Sequence, residues 1–157
     1  MVMNEQRRSI LKGAGSAGVV GVAVMAGLLK PSLAFAGWNK AAFEAKDVGA
    51  AMSAIGAAGA APSGDIIVKA PDIAENGAVV PVEITSNIAG TDGIAIIAEK
   101  NGFPLVADFK LMNGAEGYVS TRIKMGATSN VVAVVTAGGK TYKAHKEVKV
   151  TIGGCGG

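Results

Sequence analysis

From about residue 65 onward, apolar and polar residues alternate with the two-residue period of strands, in short runs separated by turn signals. Ile66-Ile67-Val68 is the first run. Val80, Val82 and Ile84 then alternate with Pro81, Glu83 and Thr85, a half-buried strand that Pro81 places near a sheet edge. Ile94-Ala95-Ile96-Ile97-Ala98 is apolar without interruption, which suits a central strand. Leu105 to Met112 alternates less cleanly, whereas Val119, Thr121, Ile123 and Met125 alternate with Ser120, Arg122 and Lys124. Val131 to Val135 is a second uninterrupted run, followed by a turn at Gly138-Gly139. The last strand sets Tyr142, Ala144, Val148, Val150 and Ile152 against Lys143, His145, Glu147, Lys149 and Thr151. Lys146 falls on its apolar side and predicts either a bulge or a snorkelling side chain.

Before residue 65 the period changes. Val48, Ala51, Met52 and Ile55 recur at helical spacing, and the pattern predicts one helix over about 39–56. Asn39 is its cap, with Trp38 and Phe43 at the spacing of a hydrophobic staple. The small residues from Gly56 to Gly64, with Pro62, read as a linker. About seven strands with no helical pattern between them leave no room for parallel crossovers. The expected fold is therefore all-β: an immunoglobulin-like antiparallel β-sandwich over 65–152, preceded by one N-terminal helix and linker over 37–64.

Charge changes the picture at the other end of the chain. The 157 residues carry a formal charge of +3, which on its face invites an anionic partner. Arg7, Arg8, Lys12 and Lys30 against Glu5 account for all of it, and the remainder is balanced. The same residues have the order of an export signal: a charged start, an uncharged stretch from Gly13 to Leu29, then the small-x-small sequence Ala34-Phe35-Ala36. Residues 1–36 are read as a cleaved signal, and Arg7-Arg8 before Ser-Ile-Leu-Lys points to the twin-arginine route. The mature protein is then expected to be periplasmic, neutral, free of the membrane and indifferent to nucleic acid.

One cysteine occurs in the whole chain, and it lies in Gly153-Gly154-Cys155-Gly156-Gly157. It has no internal disulfide partner, although the compartment favours disulfides. Glycines on both sides leave the thiol unencumbered, the reverse of a structural cysteine packed among apolar residues. Cys155 lies three residues beyond Ile152, so it stands on the order of 10 Å from the last strand. Prenylation needs a cysteine fourth from the end, and Cys155 is third. A terminal Gly-Gly also closes carriers that are adenylated at the carboxylate, but that chemistry needs ATP, and it leaves the cysteine unexplained. One cysteine and a distant His145 are too few ligands for a metal site.

Enzyme signatures are missing where they would be expected. No nucleophile-elbow serine occurs, and Gly13-Ala14-Gly15 lies inside the export signal. His145 sits among lysines on the polar side of its strand. Nothing beside Cys155 can activate it: Thr151 and Ile152 are the nearest side chains, and a free thiol is only a few per cent ionised at neutral pH. The residues describe a bearer of a reactive group that other proteins act upon, with no catalytic site and no cofactor of its own.

The glycine-flanked C-terminal cysteine, the twin-arginine signal, one helix and an all-β body together resemble the SoxY family, the sulfur-carrier subunits of a periplasmic thiosulfate-oxidising system. The stretch Ala95-Ile96-Ile97-Ala98-Glu99-Lys100-Asn101-Gly102-Phe103-Pro104-Leu105 is also similar to a family segment, although members often carry proline where Gly102 stands. The resemblance implies that Cys155 is the site of covalent sulfur attachment and that Gly153, Gly154, Gly156 and Gly157 form its swinging arm. It implies a SoxZ partner in a heterodimer. It also implies a c-type haem enzyme, SoxXA, that joins thiosulfate to the thiol, and SoxB, which hydrolyses off sulfate. A partner without its own signal is expected to fold onto this chain before export. The competing expectation is a secreted binding or structural sandwich whose Cys155 only forms a disulfide-linked dimer.

Overall fold

Two Asx caps set the start of the structure. The computed structural model describes residues 39–112 and 114–152, and begins with two short helices, α1 (Lys40–Phe43) and α2 (Val48–Ala54). The Asn39 Oδ1 accepts from the Ala42 amide at 3.2 Å, as its capping role requires. The single helix expected over 39–56 is divided because Asp47 is extended and caps α2 itself, its Oδ1 accepting from Ala50 at 2.8 Å. The Asn39 Nδ2 then donates to the Ala54 carbonyl at 2.9 Å and binds the two helices together. Trp38, the outer half of the expected staple, lies outside the described residues.

The segment after α2 differs from the expected linker. Gly56 takes φ 73°, and the amides of Gly56 and Ala57 donate to the carbonyls of Ser53 and Met52, the paired bonds of a Schellman cap. Ala57 and Ala60 are buried, and β1 (Ala61–Pro62) pairs with the last strand, β9 (Lys140–Val150). Small side chains permit this close approach. They read as flexible in sequence, and here they are packing residues.

The seven strands expected from the alternation are β2 (Ile66–Lys69), β4 (Val80–Ser86), β5 (Thr91–Ala98), β6 (Leu105–Lys110), β7 (Tyr118–Ile123), β8 (Ser129–Ala137) and β9. Two sheets result, β2-β4-β7 and β9-β8-β5-β6, in the connectivity of an immunoglobulin-like sandwich, with every pairing among these seven antiparallel. Two strands of two residues each, β1 and β3 (Ile73–Ala74), add parallel pairings along the outer side of β9. A pair of residues carries no period, so neither was visible in the pattern.

The uninterrupted apolar runs have a direct explanation. Ile94, Ile96, Ala98, Val131, Ala133 and Val135 face the other sheet with Val80, Val82, Ile84 and Val148. Ala95, Ile97, Val132 and Val134 face the opposite way and are covered by Ala42, Ala51 and Met52 of the helices. β5 and β8 are thus buried on both faces, and alternation disappears from them. The imperfect alternation of β6 comes from an extra residue: Ile96 lies opposite Ala107 and Ile97 opposite Leu105, which leaves Val106 as a bulge.

One local expectation is corrected, and at Lys146 the snorkelling alternative holds. Pro81 lies in β4, the middle strand of its sheet. It is tolerated because pairing with β2 ends at Lys69 and Glu83, so β4 is locally unpaired on that side at Pro81. Lys146 marks no bulge, since β8 and β9 stay in register from Ser129–Val148 to Ala137–Lys140. Its side chain instead leaves the core side, donates to the Ala70 carbonyl at 2.6 Å and meets Asp72 at 3.0 Å. A charge on the inner side of an outer strand also discourages strand-to-strand association.

Candidate functional site

Cys155 and the glycines Gly153, Gly154, Gly156 and Gly157 lie outside the described residues, as does the segment 1–36 expected to be an export signal. The described structure shows what the arm grows from. β9 delivers the chain to Thr151 and Ile152, and each residue there is held. The amides of Lys149 and Thr151 donate to the carbonyls of Asp72 and Ala74 at 3.0 and 3.1 Å. Val150 donates to the Thr128 Oγ1 at 2.9 Å, and the Thr151 Oγ1 donates to the Glu75 carbonyl at 3.2 Å. The Ile152 carbonyl accepts from Gly77 at 2.8 Å. Every one of these bonds joins β9 to a segment distant in sequence, so the root is fixed up to one residue before the glycines.

The bonding continues away from the root. The Gly77 carbonyl accepts from Met125, whose side chain is fully buried. Asn101, at the tip of the β5–β6 hairpin, donates to the Lys124 carbonyl at 2.7 Å and accepts from the Gly126 amide at 2.9 Å. Glu99 is tied to Asn130 through a backbone bond of 3.2 Å and a side-chain bond of 3.0 Å. Residues 74–77, 99–101 and 124–128 are therefore tied together with 150–152 at one end of the sandwich. Beside this lacing Phe103 stands half exposed, with the Lys46 ammonium 3.6 Å from its ring centroid, a cation–π contact. The loop 99–104, within the stretch Ala95–Leu105 noted in the sequence, thus shares an end of the molecule with Ile152.

These residues can hold and orient; the described part offers little for catalysis at the root. Both threonine hydroxyls there are engaged by the backbone. His145 is exposed on the polar side of β9, remote in phase from the core, as its position among lysines implied. Among the described residues no three His, Cys, Asp or Glu side chains come together as metal donors, and no helix is long and apolar enough to cross a membrane. The bracing residues Asn101, Thr128 and Thr151 were not singled out in the sequence. Asn101-Gly102 does carry a turn signal, but nothing local identifies the carbonyl and amide that Asn101 reaches.

Comparison with known proteins bears on this end of the chain. The family model for the sulfur oxidation protein SoxY matches residues 51–155, so the match runs through to Cys155. The solved structure of the sulfur carrier protein SoxY from Chlorobium limicola f. thiosulfatophilum is 43% identical, covers 69% of this chain and 96% of its own, and superposes with a TM-score of 0.62. Two structures of superoxide reductase (neelaredoxin) from Ignicoccus hospitalis are 18% and 16% identical at TM-scores of 0.47 and 0.46. They cover 54% of this chain and 78% and 79% of their own. Comparison with curated proteins finds no match.

Proposed function

The chain belongs to the SoxY family of sulfur oxidation proteins, and on that premise we propose that it is a periplasmic carrier holding thiosulfate-derived sulfur covalently on Cys155. The observation that carries this reading is the placement of the thiol: a family match reaching Cys155, three residues beyond an Ile152 that the fold clamps. A braced root and a side-chain-free arm suit a substrate that must enter several active sites in turn.

The steps follow from the chemistry of the thiol. A SoxXA-like haem enzyme joins thiosulfate to Cys155: a sulfur–sulfur bond forms, the thiol proton is released and two electrons pass to the haem enzyme. The product is an S-thiosulfonate ending in a negatively charged sulfonate. A SoxB-like hydrolase then adds water across the terminal sulfur–sulfur bond, which releases sulfate and leaves a persulfide on Cys155. Because no acid or base flanks the cysteine in sequence, ionisation of the thiol falls to the partner enzymes. A SoxZ-like subunit completes the carrier, and the twin-arginine signal at Arg7-Arg8 exports it.

The test is the intact mass of mature protein from cells supplied with thiosulfate, before and after a thiol reductant. Additions of sulfur or thiosulfonate that the reductant removes, mapped to Cys155, are the expected result. A bare thiol or a simple protein disulfide as the only species would overturn the carrier reading in favour of a cross-linked binding module.

A further inference from the structure

Three asparagines in this chain are followed by glycine, at 76–77, 101–102 and 113–114. In that dipeptide the backbone amide reaches the preceding side chain most readily, because glycine has no Cβ to obstruct the approach. Both residues are described for the first two pairs, and the fold treats those pairs in opposite ways. We propose that Asn76 is a site of spontaneous deamidation, and that the bond clamping Ile152 is what holds the reaction in check.

The reaction needs only water. The Gly77 nitrogen loses its proton and bonds to the side-chain carbonyl carbon of Asn76. The bond from that carbon to Nδ2 breaks, ammonia leaves, and a cyclic imide results. Water then opens the imide at either carbonyl to give aspartate or isoaspartate, with no oxidation or reduction at any step.

Asn76 is exposed, and its carboxamide is folded over its own successor: the Oδ1 accepts from the Ala78 amide at 2.9 Å. A donor at that oxygen stabilises the negative charge it gains during attack, as an oxyanion hole does. Asn101 is arranged the other way. Its Oδ1 accepts from the Gly126 amide at 2.9 Å and its Nδ2 donates to the Lys124 carbonyl at 2.7 Å. Both ends of that carboxamide are held on a distant segment, away from Gly102, and its leaving nitrogen is engaged.

At Asn76 the restraint lies on the nucleophile instead. Gly77 is buried, and its amide donates to the Ile152 carbonyl at 2.8 Å. The nitrogen attacks only when that bond opens, so the rate follows the fraction of time for which the clamp is undone. In the imide the Gly77 nitrogen carries no hydrogen, and Ile152 has lost its donor. The isoaspartyl product regains the hydrogen but lengthens the backbone by an atom. Gly77 is thereby displaced from Ile152 and from Met125, whose amide its carbonyl accepts at 2.7 Å. The isoaspartyl form and an intact clamp exclude each other.

The experiment incubates the mature chain with its native pairing partner at mildly alkaline pH and reads amide-to-acid conversion by peptide mass mapping. Conversion at Asn76 is expected to be about tenfold faster than at Asn101, a difference that disappears in urea, where both side chains are free. Thr151→Val removes the hydroxyl that donates to the Glu75 carbonyl, and should raise the Asn76 rate severalfold with Asn101 unchanged. Thr151→Ser keeps the hydroxyl and should restore the wild-type rate. Conversion at Asn101 as fast as at Asn76, or a difference that persists in urea, overturns the proposal. So does an Asn76 rate that Thr151→Val leaves at the wild-type value. None of these outcomes bears on Cys155 as the carrier.

Discussion

The two ends of this sandwich are closed by different means. At the far end the turns and side-chain bonds are local, and the non-local bonds run between backbone groups, as from Asn87 to Asp65 and from Leu111 to Asp92; Gly138 and Gly139 take φ values of 55° and 76° and turn β8 directly into β9, the positive pair that a two-residue hairpin requires. Between β4 and β5, the Ser86 and Thr91 hydroxyls bond each other at 2.8 Å, five residues apart. At the arm end the closures are long-range. Thr128 bonds Val150 across 22 residues, Asn101 bonds Lys124 across 23, and Thr151 bonds Glu75 across 76. The difference teaches where side chains do the closing: the long-range side-chain bonds of Asn101, Thr128 and Thr151 gather around Ile152, the last described residue before the glycines and Cys155.

The strongest test of the contrast separates chemistry from scaffold. Cys155→Ser should abolish every reductant-labile adduct seen by intact mass, while the denaturation midpoint stays at the wild-type value, because the thiol lies beyond the braced residues. Next in size is Gly117→Ala at the far end. A Cβ there would lie 2.7 Å from the Ser86 carbonyl oxygen, a backbone atom that cannot step aside cheaply. The Ser86 amide also donates to the Gly117 carbonyl at 2.6 Å. Overpacking of this kind costs about 1–3 kcal/mol, readable as a lower urea midpoint.

A smaller effect is expected at the arm end from Asn101→Ala, about 1 kcal/mol, since the two lost bonds are solvent-exposed and water replaces them. Its signature is local: faster hydrogen exchange at the Gly126 amide, with the far-end amide of Ser86 unchanged. Equal acceleration at both ends would break the distinction drawn between them. The smallest expected change is Lys46→Ala, about 0.5 kcal/mol from the loss of an exposed cation–π contact, measured by the same denaturation series.

Much of the fold was legible because it follows from period and burial. Seven strands were visible from alternation and short apolar runs, and the uninterrupted run of β5 already suited a central strand; that β5 and β8 are covered on both faces is seen only in the fold. The errors share a cause. Asp47 divides the helix, yet an aspartate within an amphipathic run looks like any polar residue until its backbone is seen to be extended. The alanines at 57 and 60 look like a linker until a sheet is found beneath them. β1 and β3 have two residues each and hence no pattern, and Pro81 is compatible with a middle strand only because its neighbour stops short.

For the candidate site the division is sharper. Cys155, its flanking glycines and its distance from the last strand are properties of the covalent chain, and so is the likeness of that terminus to a family of sulfur carriers. The sequence by itself determined these, along with the alternation that makes two sheets, because local spacing and chain connectivity need no knowledge of the fold. Only the tertiary structure decided that residues 74–77, 99–101 and 124–128 meet at the root of the arm and clamp Ile152. Those partners are separated by up to 77 residues, and a hydrogen bond over such a distance leaves no mark on the pattern around either end.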